Sequence, residues 1–134
     1  MTESSTVSIS INRPAAEVYA YLADPANFPK WSLFVREIRR EGDNWLATTP
    51  SGSVLMRFTP PNEFGVLDHF MTVSPELQVY VPLRVVANGA NGSEVLFTVF
   101  RLSGMDEAQC AADIAMVRTD LSGLRLALEG AEII

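Results

Sequence analysis

Residues 106–129, DEAQCAADIAMVRTDLSGLRLALE, decide how the rest of the chain is read. Cys110, Ile114, Val117, Leu121, Leu124 and Leu128 recur at alternating steps of four and three, the period of one apolar helix face. The start is written locally. Asp106 can accept from the amides of the first turn, Gln109 stands three residues on as in a capping box, and Met105 precedes Cys110 as a hydrophobic staple. Gly130 marks the end in the usual C-terminal role. At about 1.5 Å per residue the helix is roughly 36 Å long, and its apolar stripe, fully buried, contributes roughly 10–15 kcal/mol gross as an upper bound. Something broad must cover it.

Working outward, the cover is a run of strands. VREIRR (35–40), WLATT (45–49), VLMRFT (54–59), VLDHFMTV (66–73), LQVYVPLRVVA (77–87) and EVLFTVFRL (94–102) are separated by EGDN, TPSGS, PPNEFG, SPE and NGANG, which supply the Gly, Pro, Asn and Asp that reversals need. Connections this short join antiparallel neighbours. TVSISI (6–11) alternates apolar and polar residues and adds a seventh strand. Seven strands at about 4.8 Å span roughly 29 Å, comparable to the helix.

Between the first strand and the rest, Asn12 is expected to cap a helix with Pro14 in its first turn and Ala15, Val18 and Leu22 on its inner side. Asp24-Pro25 stops that helix, and Pro29 limits ANFPKWS to a further short helix. Phe28, Trp31 and Phe34 are too many large apolar groups for a surface loop, and read as a plug packed onto the core, with a ligand-contacting lid as the alternative. The order β-α-α-β-β-β-β-β-β-α predicts one α+β domain over residues 1–134, a curved seven-stranded antiparallel sheet wrapped around a long C-terminal helix.

Composition narrows the function. At 134 residues, 48% hydrophobic and 19% charged, the chain can bury a sizeable core. A net charge of −6 argues against nucleic acid as a partner. MTESST has neither a positive nor an apolar signal-peptide region, and no apolar run reaches membrane-spanning length, so no membrane insertion and a cytoplasmic location are expected. One cysteine and one histidine allow no intramolecular disulfide and no His/Cys metal cluster, so no metal is expected. NGANGSE lies between two strands and reads as a hairpin turn, leaving no nucleotide or other cofactor expected.

Period two then assigns faces. Val54, Met56 and Phe58; Leu67, His69, Met71 and Val73; Val79, Val81, Leu83 and Val85; and Val95, Phe97 and Val99 point inward. Arg57, Asp68 and Arg84 point outward as a cross-strand ion ladder. Tyr80, Leu96 and Phe100 also fall outward, an apolar patch that suits a homodimer contact. Two inward positions are polar, His69 and Arg101, and each needs a partner, either a protein group or a ligand.

SISINRPAAEVYAYLADPANFPKWS resembles the N-terminal signature of the START-like, helix-grip superfamily, which includes polyketide cyclases and dehydrases and lipid-transfer domains. FGVLDHF, PLRVVANG and FTVFRLSGM look like those of bacterial polyketide-cyclase-like members. The resemblance implies an apolar chamber between sheet and long helix, with its opening near the short helices, that holds a hydrophobic or aromatic molecule. Carried onto this chain, it implies Trp31 and Phe34 at the opening and Val54, Met56, Phe58, Leu67, Met71, Val81, Leu83, Phe97, Val99, Ile114, Val117 and Leu121 around the ligand.

Two functions of different class follow. One is a binding or carrier module for a small hydrophobic or aromatic, polyketide- or lipid-like molecule. The other is a cyclase or dehydrase in the same chamber, with His69 as acid-base group and Arg101 stabilising an enolate. An interaction module using the outer patch is a third. The ligand reading calls for a hollow of more than about 300 Å³ with His69 on its wall.

Overall fold

A computed structural model describes residues 1–130, so the last four residues of the expected 1–134 domain lie outside the described residues. The elements run β1 (Ser4–Ile11), α1 (Ala15–Leu22), a 3-10 turn (Pro25–Asn27), α2 (Phe28–Trp31), β2 (Glu37–Glu41), β3 (Asn44–Thr49), β4 (Gly52–Phe58), β5 (His69–Ser74), β6 (Leu77–Val81), β7 (Leu83–Ala87), β8 (Ser93–Phe100) and α3 (Glu107–Glu129). This is an α+β arrangement with the C-terminal helix packed on antiparallel strands.

The strands form two sheets rather than the single seven-stranded one expected: three strands in the order β1-β8-β7, and five in the order β2-β3-β4-β5-β6. The physical reason is Pro82. Proline has no N–H to give a ladder, so the run 77–87 breaks into β6, which pairs with β5, and β7, which pairs with β8. At the corner Pro82 offers its carbonyl to the Thr98 amide at 3.0 Å, and the Leu83 amide donates to the Asp68 carboxylate at 2.9 Å. Asp68 also accepts from Tyr80 on β6 at 2.9 Å and from Arg84 on β7 at 2.8 and 3.2 Å. One carboxylate therefore straps together the strands that belong to different sheets. The expected ladder loses its third member, because the Arg57 guanidinium lies over the Phe70 ring, 4.8 Å from its centroid.

α3 begins as its sequence predicts: Asp106 accepts from the Gln109 amide at 2.8 Å and Gln109 accepts from the Asp106 amide at 3.1 Å. Its end differs. Gly130 sits at φ −56°, still right-handed, so no left-handed glycine terminates the helix. Asn12 does not cap α1 either. Pro14 occupies the N-cap position, and the Asn12 amide donates instead to the Glu129 carboxylate at 3.1 Å, tying the last turn of α3 to the end of β1.

The α3 stripe is covered unevenly. Leu121 and Leu124 are buried against Val7, Ile11, Val18 and Val95, whereas Cys110, Ile114 and Val117 are only half-buried. The second half of the helix is held close by α2: a Cβ on Gly123 would run into the Trp31 carbonyl oxygen, so the bare glycine lets the two backbones approach. The first half stands off from the strands, and that difference opens a space. No helix among the described residues is long and apolar enough to cross a membrane.

Candidate functional site

The space is a cavity of about 140 Å³ between α3, the α2 segment and the strands β4, β5, β6 and β8. Strand register builds its floor. Phe58 lies opposite His69 and His69 opposite Val81 across β4, β5 and β6, while Met56 lies opposite Met71 one step along. Exposure rises from floor to mouth: Met56, His69 and Val81 are buried, Trp31 and Phe28 nearly so, whereas Tyr80 and Met116 are 38% and 40% exposed. Asp113 is exposed as well, and Asp113 and Leu102 also border a shallow groove formed with Ser103, Gly104 and Met105, into which the mouth leads. The most exposed part of the lining thus lies at β6 and the first half of α3.

The short helices close the cavity. Phe28 and Trp31 stack with ring centroids 4.6 Å apart, and both are buried. Behind them Asp120 of α3, a buried carboxylate, accepts from the Ser32 hydroxyl at 2.6 Å and from the Leu33 amide at 2.9 Å. The same Ser32 oxygen accepts from the Phe34 and Val35 amides at 3.1 and 3.2 Å. Four polar groups released by the end of α2 are so satisfied by one aspartate and one serine, and the plug is bolted to the helix.

His69 supplies the polar point of the floor. Its Nδ1 lies 3.2 Å from the Leu67 carbonyl oxygen; a carbonyl can only accept, so Nδ1 carries the proton and Nε2 presents its lone pair. Nε2 takes no hydrogen bond from the described residues. Phe58 lies 5.4 Å from the imidazole and Phe28 meets it edge-on at 6.1 Å. Complete burial among these rings pushes the imidazole down to about 4, against the smaller upward pull of the Leu67 carbonyl and of Asp68. At neutral pH it is a neutral acceptor. At the mouth, burial raises the Asp113 carboxyl above its ordinary value.

The sequence-predicted residues divide into three groups. His69, Trp31, Phe34, Met56, Met71, Val81, Phe97, Val99 and Val117 line the cavity. Phe58, Leu67 and Leu83 border a separate void of about 40 Å³ beside Tyr19 and Pro61. Val54, Ile114 and Leu121 belong to the packed core without facing either space. Arg101 is a correction: its guanidinium donates to the Glu3 carboxylate at 3.0 Å and to the Met105 carbonyl at 3.1 Å, away from the cavity. β8 ends at Phe100, so the alternation that pointed Arg101 inward no longer applies there. Val73 is 37% exposed, at the register shift between Thr72 and Ser74.

Sequence reasoning missed Phe28, Asp113, Met116 and Asp120 as wall residues, and placed Tyr80 and Phe100 on an outer patch. Those two rings, 6.0 Å apart and stacked, edge the cavity where the sheets part. The volume also falls below the expected 300 Å³, because Phe28, Trp31 and Phe58 fill the deeper part of the hollow with protein.

A curved antiparallel wall, a long C-terminal helix across it, and short helices after the first strand are now all in place. The chain has the START-like fold. Residues 2–61 match the model of the family described as polyketide cyclase / dehydrase and lipid transport. The protein XoxI from Bacillus cereus superposes with a TM-score of 0.79 at 17% identity, covering 98% of this chain and 99% of that one. A START superfamily protein from Mycobacterium smegmatis gives 0.76 at 10% identity, over 96% and 98% of the two chains. The Zhui aromatase/cyclase from a Streptomyces species gives 0.71 at 13% identity, over 98% and 93%. At these identities the likeness shows the fold alone, and the family model matches less than half of the chain. No curated protein matches the chain.

Proposed function

We propose that the chain binds a small aromatic molecule in the cavity beside His69, as a binding or carrier module. The observation that carries this reading is a fully buried histidine, one nitrogen held by the Leu67 carbonyl and the other free, on the wall of an apolar space that opens at Met116 and Tyr80. Apolar walls with one convergent polar group are the usual make-up of a small-molecule site. The likeness to a START superfamily protein is consistent with it.

A second reading, a cyclase or dehydrase, is favoured by the partial family match and by the likeness to an aromatase/cyclase. It asks more of the site. Burial, which holds the imidazole near 4, makes it a weaker base than one poised near neutrality. Arg101 is turned to Glu3 rather than toward a developing enolate. Binding is therefore the preferred function.

The test is titration of the protein with single-ring aromatics, followed by calorimetry, in parallel with a Val81→Trp variant that fills the cavity. Saturable binding that the variant abolishes is expected. Binding unchanged in the filled variant, or none by any small aromatic, would refute the proposal; turnover lost in His69→Gln at unchanged affinity would establish the enzyme instead.

A further inference from the structure

The polar groups around the cavity are almost all engaged elsewhere. The Ser32 hydroxyl is held between Asp120 and two amides, the Thr98 hydroxyl pairs with Thr6 at 2.9 Å, and the Tyr80 hydroxyl donates to Asp68 on the outer face. Among the described residues the exceptions are His69 Nε2, buried on the floor, and the exposed Asp113 carboxylate at the mouth. His69 Nε2 is an acceptor and nothing else, since the Leu67 carbonyl fixes the proton on the other nitrogen. Among the described residues no lysine or arginine lines the cavity, while Asp113 and Asp120 do.

Size sets the other limit. A dry cavity of about 150 Å³ accommodates a benzene ring, and this one measures about 140 Å³. From these constraints, which rest on the binding function argued above, we infer that the ligand is a single aromatic ring without negative charge that bears one hydrogen-bond donor, a phenol or an arylamine, with the donor directed at His69 Nε2. A ring without a donor would displace solvent from Nε2 and leave it bare in an apolar site, at a cost comparable to a lost hydrogen bond. A ring bearing a carboxylate would bring a negative charge past Asp113 to a wall with no cation. A second fused ring would have to project from the cavity into the groove beyond the mouth.

Because the chain has one histidine, the ring nitrogens of His69 give an unambiguous ¹⁵N signal. Protein labelled with ¹⁵N-histidine is titrated with phenol, toluene and benzoate, and the methyl resonances of Met56 and Val81 report occupancy of the cavity. Phenol is expected to shift the methyls and Nε2 together while Nδ1 stays in place; toluene is expected to shift the methyls alone, and benzoate neither. In His69→Leu the ratio of phenol to toluene affinity should fall about five- to tenfold, the value of one hydrogen bond between neutral groups. Phenol that shifts the methyls without Nε2 would overturn the donor assignment and leave the binding function standing. Methyls that respond to none of the three would overturn both. Should His69→Leu fail to fold, the wild-type Nε2 signal decides the matter alone.

Discussion

Lowering the pH should destabilise this protein through one identifiable group. His69 is fully buried beside Phe28 and Phe58, and burial holds its imidazole at about 4 rather than the ordinary 6.5. The folded state therefore resists a proton that the unfolded chain accepts. The stabilisation is complete above about 6.5 and is lost as the pH falls from there through about 4. At about 1.4 kcal/mol per pH unit, that window corresponds to roughly 3 kcal/mol, a large part of the stability of a domain this size. Carboxylates confuse the raw curve, so the measurement is a comparison: urea unfolding of the protein and of His69→Leu at intervals from about pH 7 to about pH 4. Asp68 is held below its ordinary value, burial being outweighed by Arg84, the Leu83 amide and Tyr80, so its contribution is lost only below the window. Asp113, raised by burial, works in the opposite direction and is common to both proteins. Removing the imidazole also strands the Leu67 carbonyl, but that offset is the same at every pH and leaves the slope untouched. The variant should lose roughly 3 kcal/mol less than the parent across the window. Equal slopes would mean that the imidazole titrates as if in water, and the description of a buried, neutral acceptor would be wrong.

Three further perturbations test the frame around the cavity. Asp120→Ala leaves the Ser32 hydroxyl and the Leu33 amide without their acceptor, and urea unfolding should show a loss of about 2–4 kcal/mol, with Ser32→Ala costing less and the double variant well short of the sum. Gly123→Ala, which in an exposed helix would stabilise by up to about 1 kcal/mol, should instead destabilise by about 1–3 kcal/mol because the new methyl meets the Trp31 carbonyl; a thermal melt gives the sign directly. Asp68→Ala should cost about 1–3 kcal/mol in denaturant unfolding by unpairing the Leu83 amide, whereas Arg84→Ala, whose side chain is half in solvent, should cost less than about 1 kcal/mol; equal losses would show that the ion pair rather than the amide holds the corner.

What was legible in the sequence is what short-range periodicity encodes. The four-and-three spacing from Cys110 to Leu128 located α3, and Asp106 with Gln109 announced its start, because a capping box is complete within four consecutive positions. Alternation likewise placed His69 inside and Asp68 outside. Pro82 carried a readable signal that the expected strand 77–87 ran straight through: a residue without an amide hydrogen marks the break in a ladder. Asp120 left a trace too, a carboxylate three residues from Val117 and four from Leu124, on the edge of an apolar stripe where a charge needs a partner. Its partner, Ser32, lies 88 positions away, so the pairing itself could not be read. The volume of the cavity was least legible of all. Whether Phe28, Trp31 and Phe58 line a hollow or fill it depends on how three rings pack, and residue type does not specify that.

That packing bears on which chemistry the site can host. For a long polyketide-like chain to fold inside, the Phe28 and Trp31 plug would have to leave, exposing two aromatic side chains at about 1.5–3 kcal/mol each. The plug cannot swing out alone, because Asp120 binds the Ser32 hydroxyl and the Leu33 amide at its end, and breaking those bonds in the same motion adds a few kcal/mol more. A bulky ligand would therefore have to supply several kcal/mol of its own binding energy merely to make room. A single ring needs none of this. On the proposed function it would enter beside the exposed Met116 and Tyr80 and reach His69 with the bolted segment left in place. On the proposed function, the polar anchor that keeps α2 on α3 would select ligands by size before His69 selects them by hydrogen bonding.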